Sequence, residues 1–129
     1  MKRKTVSLLL LVLILLLFPS CSHKTIEDGN YTVECTLTGG SGRASIEYSE
    51  VEIKDGSVTA HIIWSSPFYD YMIADDIKYE PVNSKGNSEF MFPAYLDKEM
   101  KIKADTVAMS QPHLIEYTLY FKSSTLKEI

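Results

Sequence analysis

An all-β domain of about seven or eight antiparallel strands, folded as a sandwich or barrel, is what this sequence predicts, and three observations lead there. From Asn30 onward, short segments alternate apolar and polar residues with a period of two. Turn signals divide them: Gly39-Gly40-Ser41-Gly42, Asp55-Gly56 and Ser84-Lys85-Gly86-Asn87. Beyond the first twenty residues nothing carries a sustained helical period, and there is neither an internal repeat nor a low-complexity segment.

The first strand runs over Asn30 to Thr38, with Tyr31, Val33, Cys35 and Leu37 in one phase. That phase puts the Cys35 thiol on an apolar face, where a free cysteine acts as a small hydrophobe. Ala44, Ile46 and Tyr48 share the next phase, but Val51 and Ile53 take the other, so a bulge or a break falls near Ser49-Glu50. Asp55-Gly56 between alternating runs signals a hairpin. Val58, Ala60, Ile62 and Trp64 then face one way, which makes Trp64 the core aromatic and leaves His61 on the polar side. Alternation fails from Ser65 to Met72. Shorter strands follow at Lys78 to Val82, at Glu89 to Phe92 before Pro93, and at Met100 to Asp105. A loop from Thr106 to Pro112 leads into a last strand, His113 to Phe121.

The chain opens Met1-Lys2-Arg3-Lys4, continues with an apolar run from Val6 to Phe18 broken by Ser7, and reaches Pro19-Ser20-Cys21. A positive start, a short apolar core and a small residue before the processing point define a secretory signal. The run is too short for the roughly 20 apolar residues of a membrane-spanning helix. Cys21 after Ser20 resembles a bacterial lipobox, which implies processing before Cys21 and acylation of its thiol. The expected organisation is a signal peptide at 1–20, a lipidated Cys21 with a short tether at 21–29, a β-domain at 30–122 and a tail at 123–129. The expected place is extracytoplasmic, at the cell membrane.

Removing the signal takes three of the thirteen basic residues and none of the seventeen acidic ones, leaving ten against seventeen and a net charge of −7. An acidic surface argues against nucleic acid, whose phosphates want basic partners. It does not help peripheral binding to anionic lipid either, so two acyl chains would hold the protein. With Cys21 acylated, Cys35 is the one remaining cysteine and forms no internal disulfide.

Catalysis has little to stand on. The sequence has no nucleophile elbow, no phosphate-binding glycine loop and no metal-spaced Cys/His cluster. Asp75-Asp76 reads as a solvated turn. Two segments remain. Ser65 to Met72 carries Phe68, Tyr69, Tyr71 and Met72, side chains that either fold back over the core or face a ligand. His113, Ile115, Tyr117, Leu119 and Phe121 share one face of the last strand. His113 and Tyr117, four apart, stand about 13 Å from each other along the backbone, too far to share a small ion but within the width of a porphyrin.

Asp28 to Val33, Val51 to Gly56, the Ser/aromatic loop at Ser65 to Met72, Phe90-Met91-Phe92-Pro93 and Glu116 to Phe121 together resemble NEAT (near-iron-transporter) domains. The resemblance implies an immunoglobulin-like β-sandwich on a bacterial surface, of a kind that in many cases binds haem. It places the haem between a short helical loop after an early strand and the last hairpin, with a Tyr-x-x-x-Tyr motif at the iron. Here that motif falls on His113 and Tyr117, so the first position is His instead of Tyr. Imidazole and tyrosinate are both haem-iron ligands, and either residue is a candidate. The resemblance makes Ser66, Phe68, Tyr69 and Tyr71 the lip of the site and Met72 its wall or distal ligand. The function expected first is a lipid-anchored, non-enzymatic haem-binding module that relays haem or iron to an uptake system such as an ABC-type transporter. A second reading is a non-catalytic protein-interaction domain. A third is a copper site of Met72, Met109 and His113, whose thioether and imidazole donors suit Cu(I).

Overall fold

The computed structural model describes residues 25–108 and 111–129. The expected signal peptide, Cys21, the first tether residues and Met109 lie outside them. Eight strands follow in order: β1 (Gly29–Gly39), β2 (Ile46–Lys54), β3 (Ser57–Trp64), β4 (Tyr69–Ala74), β5 (Ile77–Tyr79), β6 (Glu89–Pro93), β7 (Met100–Thr106) and β8 (His113–Glu128). They form one antiparallel sheet in the order β5-β4-β7-β8-β1-β2-β3-β6, folded over until its two edge strands touch. Alternation sends one face of every long strand inward. Trp64, Phe90, Phe92, Phe121, Ile62, Met72 and Leu119 are the largest fully enclosed side chains between the two halves. Nearly complete closure leaves short edges, which limits pairing with other chains.

The hairpin at Asp55-Gly56 forms as expected. Lys54 pairs with Ser57, and both turn residues have positive φ (51° and 80°), the two-residue turn whose twist suits antiparallel strands. The phase change in β2 is a bulge inside a continuous strand. Register slips between Ile46 and Tyr48, so Ser49 joins Val51 and Ile53 on the inner face. Its hydroxyl is satisfied there by donating to the Val33 carbonyl. Cys35 is half-buried against the core, and burial pushes its thiol up to about 12.

Four expectations need correction. Tyr69 to Met72 is not a surface loop but the start of β4, with Tyr69 and Met72 enclosed in the core. The short strand expected at Lys78 to Val82 is β5, which ends at Tyr79. The expected tail at 123–129 is the second half of β8, paired back onto the start of β1 (Tyr31 with Glu128, Thr32 with Lys127). The domain also begins before residue 30. Ile26 packs on the core, Glu27 accepts the Tyr31 hydroxyl through its carbonyl at 2.8 Å, and Asp28 accepts the Asp55 N–H at 3.0 Å.

His61, expected on the polar side of its strand, does lie on the outer face. There it is clamped between carboxylates of the two neighbouring strands: Nδ1 lies 2.9 Å from Glu50 and Nε2 3.1 Å from Glu89. Partial burial alone lowers an imidazole's pKa, but here the hydrogen bonds and charges of the two glutamates outweigh it and raise the value. The folded state therefore gains from this clamp below about pH 6.5, the ordinary histidine value, and gives the gain up as pH rises through the higher folded-state pKa. Half-solvated ion pairs contribute about 0–1 kcal/mol. Urea unfolding at pH 5.5 and pH 8.5 is expected to show this loss in the native sequence, and His61→Gln to flatten it. Equal slopes in both proteins would show that the clamp adds nothing.

Candidate functional site

One end of the folded sheet gathers three connections: residues 40–45 between β1 and β2, 65–68 between β3 and β4, and the described residues 107–108 and 111–112 between β7 and β8. Backbone hydrogen bonds tie them together. Ser65 donates to the Ser45 carbonyl at 2.9 Å, and Val107 donates to the Phe68 carbonyl at 2.9 Å. Ser88 reaches in as well, donating its N–H to Ser66 at 3.0 Å and accepting the Tyr69 N–H on its hydroxyl at 3.1 Å.

Beneath these loops lies an aromatic floor. Trp64 stacks on Tyr69 with ring centroids 4.1 Å apart, and meets Tyr117 edge-on at 5.2 Å. The Tyr69 and Tyr117 hydroxyls are 3.1 Å apart. Burial, and then this bond to Tyr117, push the Tyr69 phenol well above its ordinary pKa, so it stays protonated. The Trp64 indole N–H has no hydrogen-bond partner among the described residues. Two glycines let β1 come close to this floor. A Cβ on Gly40 would sit 2.9 Å from the Tyr117 ring, and one on Gly39 only 2.6 Å from the Glu116 carbonyl oxygen.

At the rim, His113 is solvent-exposed at the first position of β8, paired with Thr106. Phe68 (47%), Val107 (42%) and Leu114 (46%) also leave large apolar area open to water. Behind the rim, Asp105 is buried beside Asp70, which stands in a bulge of β4 between Tyr69 and Tyr71. The hydrogen bond to Asp70, then burial and Asp70's like charge, raise the Asp105 pKa; His113 and Lys78 oppose the rise. Such a pair of carboxyls holds a proton between them more readily than either would alone.

The expected site residues divide accordingly. His113 and Phe68 are exposed at the rim. Ser66 is half-buried, its hydroxyl accepting the Phe68 N–H at 3.1 Å. Tyr71 is half-buried with the Lys78 ammonium 4.5 Å over its ring. Tyr69 and Tyr117 are floor residues, 6% and 4% exposed. Met72 is completely enclosed, so neither an open wall of a site nor a copper ion in water reaches its sulfur. The short helical loop implied by the resemblance is absent among the described residues; 65–68 is irregular and leads directly into β4. Sequence reading missed the loop that does lie on Tyr117. It is the glycine-rich 39–42 turn, whose consecutive glycines were the available signal for a close backbone approach.

No protein-family model and no curated protein matches the sequence. Among solved structures, a point mutant of IsdX2-NEAT5 in complex with haem is similar at a TM-score of 0.62 and 12% identity, over 75% of this chain and 97% of that one. The chain therefore has the fold of a NEAT domain, the immunoglobulin-like β-sandwich that its scattered motifs resemble.

Proposed function

We propose that this protein is a lipid-anchored, extracytoplasmic haem-binding module of an uptake system, with His113 as the iron ligand. The observation that carries the reading is the exposed imidazole of His113 at the hairpin end, on a strand position paired with Thr106, next to which the exposed Val107 is bonded through its backbone to the exposed Phe68. A porphyrin needs an axial donor and apolar surface beside it, and both are available on this rim. The chain is also similar in fold to a NEAT domain solved with haem.

Of the two motif positions, His113 is open and Tyr117 is closed. Tyr117 stands about 13 Å further along the strand, with its hydroxyl engaged by Tyr69. In this reading Tyr117 is a support under the site and His113 binds iron. Ser66 and Tyr71 complete the rim. Haem is the cargo, and relay to a transporter is the role that an anchored carrier suits. The exposed apolar rim also fits a protein-interaction surface, which remains the second reading.

The test is absorbance titration of the soluble domain with hemin. A Soret shift is expected, with His113→Ala weakening binding at least tenfold, about 1.4 kcal/mol, and Tyr117→Phe weakening it less. Absence of a Soret shift would leave the interaction reading in its place. A shift that survives His113→Ala but not Tyr117→Phe would move the ligand to Tyr117.

A further inference from the structure

The outer surface of the half-sheet β4-β7-β8-β1 carries an open groove that the haem reading does not use. It holds about 570 Å³, within the roughly 300–1,000 Å³ of small-ligand sites. Strand register lays out its floor. Ile73 on β4 pairs with Lys103 on β7, and Lys103 with Glu116 on β8. One step along, Lys101 pairs with Thr118, and Thr118 with Thr38 on β1. The turn of Asp75 and Asp76 borders the groove beyond β4. Ile102 and Tyr117, which alternate with these floor residues, point inward and are buried. His113 is in phase with Tyr117 and out of phase with Glu116 and Thr118, so the groove and the proposed iron ligand belong to opposite faces of the sheet.

Charge alternates across this floor from strand to strand, in steps of about 5 Å. Asp75 and Asp76 bring carboxylates, Lys101 and Lys103 ammoniums, and Glu116 a carboxylate again, all at exposed positions. Opposite charges facing each other on an antiparallel pair ordinarily attract. Yet among the described residues neither lysine closes an ion pair with any of these carboxylates. Asp75 instead accepts the Tyr95 hydroxyl at 2.9 Å. Both signs are left facing the groove, a few ångströms apart.

That pattern discriminates between ligands. A plain anion meets three carboxylates, and a plain cation meets two ammoniums. A flat apolar molecule finds, among the described residues that line the groove, Ile73 as the one apolar side chain that faces it. A molecule with both signs engages the lysines and a carboxylate at once, through charge-assisted hydrogen bonds. The Thr38 and Thr118 hydroxyls beside them suit amide N–H and C=O groups. We propose that this groove is a second binding site, for short zwitterionic peptides, with the peptide carboxylate on Lys101 and Lys103 and its ammonium on the neighbouring acidic side chains. A free amino acid carries the same two charges but offers the threonines no amide and leaves more of the groove empty.

The experiment follows amide NMR shifts of the full chain in mild detergent at pH 7, with trialanine as the probe. No hemin is present, so the result is independent of the haem reading. Saturable shifts are expected at Thr38, Lys101, Lys103 and Thr118. N-acetylated trialanine, C-amidated trialanine and alanine are each expected to bind at least tenfold more weakly. Lys101→Met together with Lys103→Met removes both ammoniums at exposed positions. It should weaken trialanine at least tenfold and make C-amidation indifferent. At least one of Asp75→Asn, Asp76→Asn and Glu116→Gln should make N-acetylation indifferent, which identifies the partner of the ammonium. Asn tolerates the positive φ of 49° and 62° at the two turn positions, so the backbone is kept. Lys122→Met removes an exposed charge further along β8 and should leave binding unchanged. Absence of saturable shifts at the groove, equal binding of the capped peptides, or binding of the neutral sugar maltotriose as tight as that of trialanine overturns the proposal. So does a loss with Lys122→Met as large as that with the lysine pair.

Discussion

Trp64→Ala is expected to cost about 3–5 kcal/mol, the range for deleting a large enclosed aromatic. The ring is completely buried, stacks on Tyr69 and meets the edge of Tyr117, so its loss opens a void shared by β3, β4 and β8. A domain of this size has a total stability on the order of 5–15 kcal/mol. The variant therefore gives up a large part of it. At about 4–8 °C per kcal/mol, its midpoint should fall by at least about 12 °C in a thermal scan. Trp64→Phe separates packing from polarity. It keeps most of the apolar volume and removes an indole N–H that has no partner among the described residues. A buried unsatisfied donor costs about 1–3 kcal/mol, so relief of that cost offsets part of the lost volume. Trp64→Phe is expected to lose less than half of what Trp64→Ala loses. A Trp64→Ala midpoint close to the native one would show that this aromatic floor is not central to the fold.

That floor also marks the limit of what the residues alone disclose. β1, β3 and β7 were legible because alternation with one buried face leaves a period of two, and because Asp-Gly at positive φ pins the register of the β2–β3 hairpin. β4 was not. The bulge at Asp70 sends Tyr69 and Met72 inward although they are three residues apart, which destroys the period and leaves an aromatic run that imitates a ligand-binding loop. The end of β8 was hidden for a different reason. Ser123 to Glu128 is mostly polar, and its strand state comes from pairing with residues far back in the chain, near Tyr31 and Thr32. At the site, His113 and Tyr117 were legible as a same-face pair on one strand. Their separation into an open residue and a closed one depends on Tyr69 and Gly40, which the chain brings to Tyr117 from distant positions. The outer-face clamp on His61 was invisible for the same reason, since its two glutamates come from two other strands.

Gly39→Ala is expected to be the most damaging change of a single small side chain, with a loss of about 3 kcal/mol or more, because two separate costs fall on one methyl group. Gly39 has φ +109°, a conformation that only glycine adopts without strain, and such strain costs on the order of 1–3 kcal/mol. In addition, the new Cβ would lie 2.6 Å from the Glu116 carbonyl oxygen and 3.1 Å from the Tyr117 Cα. Both are backbone atoms of the paired strand β8, so no side-chain rotation relieves the contact; the β1–β8 pair itself must part. Gly42→Ala supplies the control, since its φ is also positive (+82°) but nothing lies within 4 Å of its Cβ. It carries the strain without the collision and should lose only about 1 kcal/mol. The difference between the two variants in urea unfolding then measures the close approach of β1 to Tyr117. Because Tyr117 supports the proposed haem end, Gly39→Ala should also weaken hemin binding at temperatures where the domain is still folded, whereas Gly42→Ala should not. Equal losses in both variants would mean that β1 does not press on β8 at Tyr117, and the floor beneath His113 would have to be placed elsewhere.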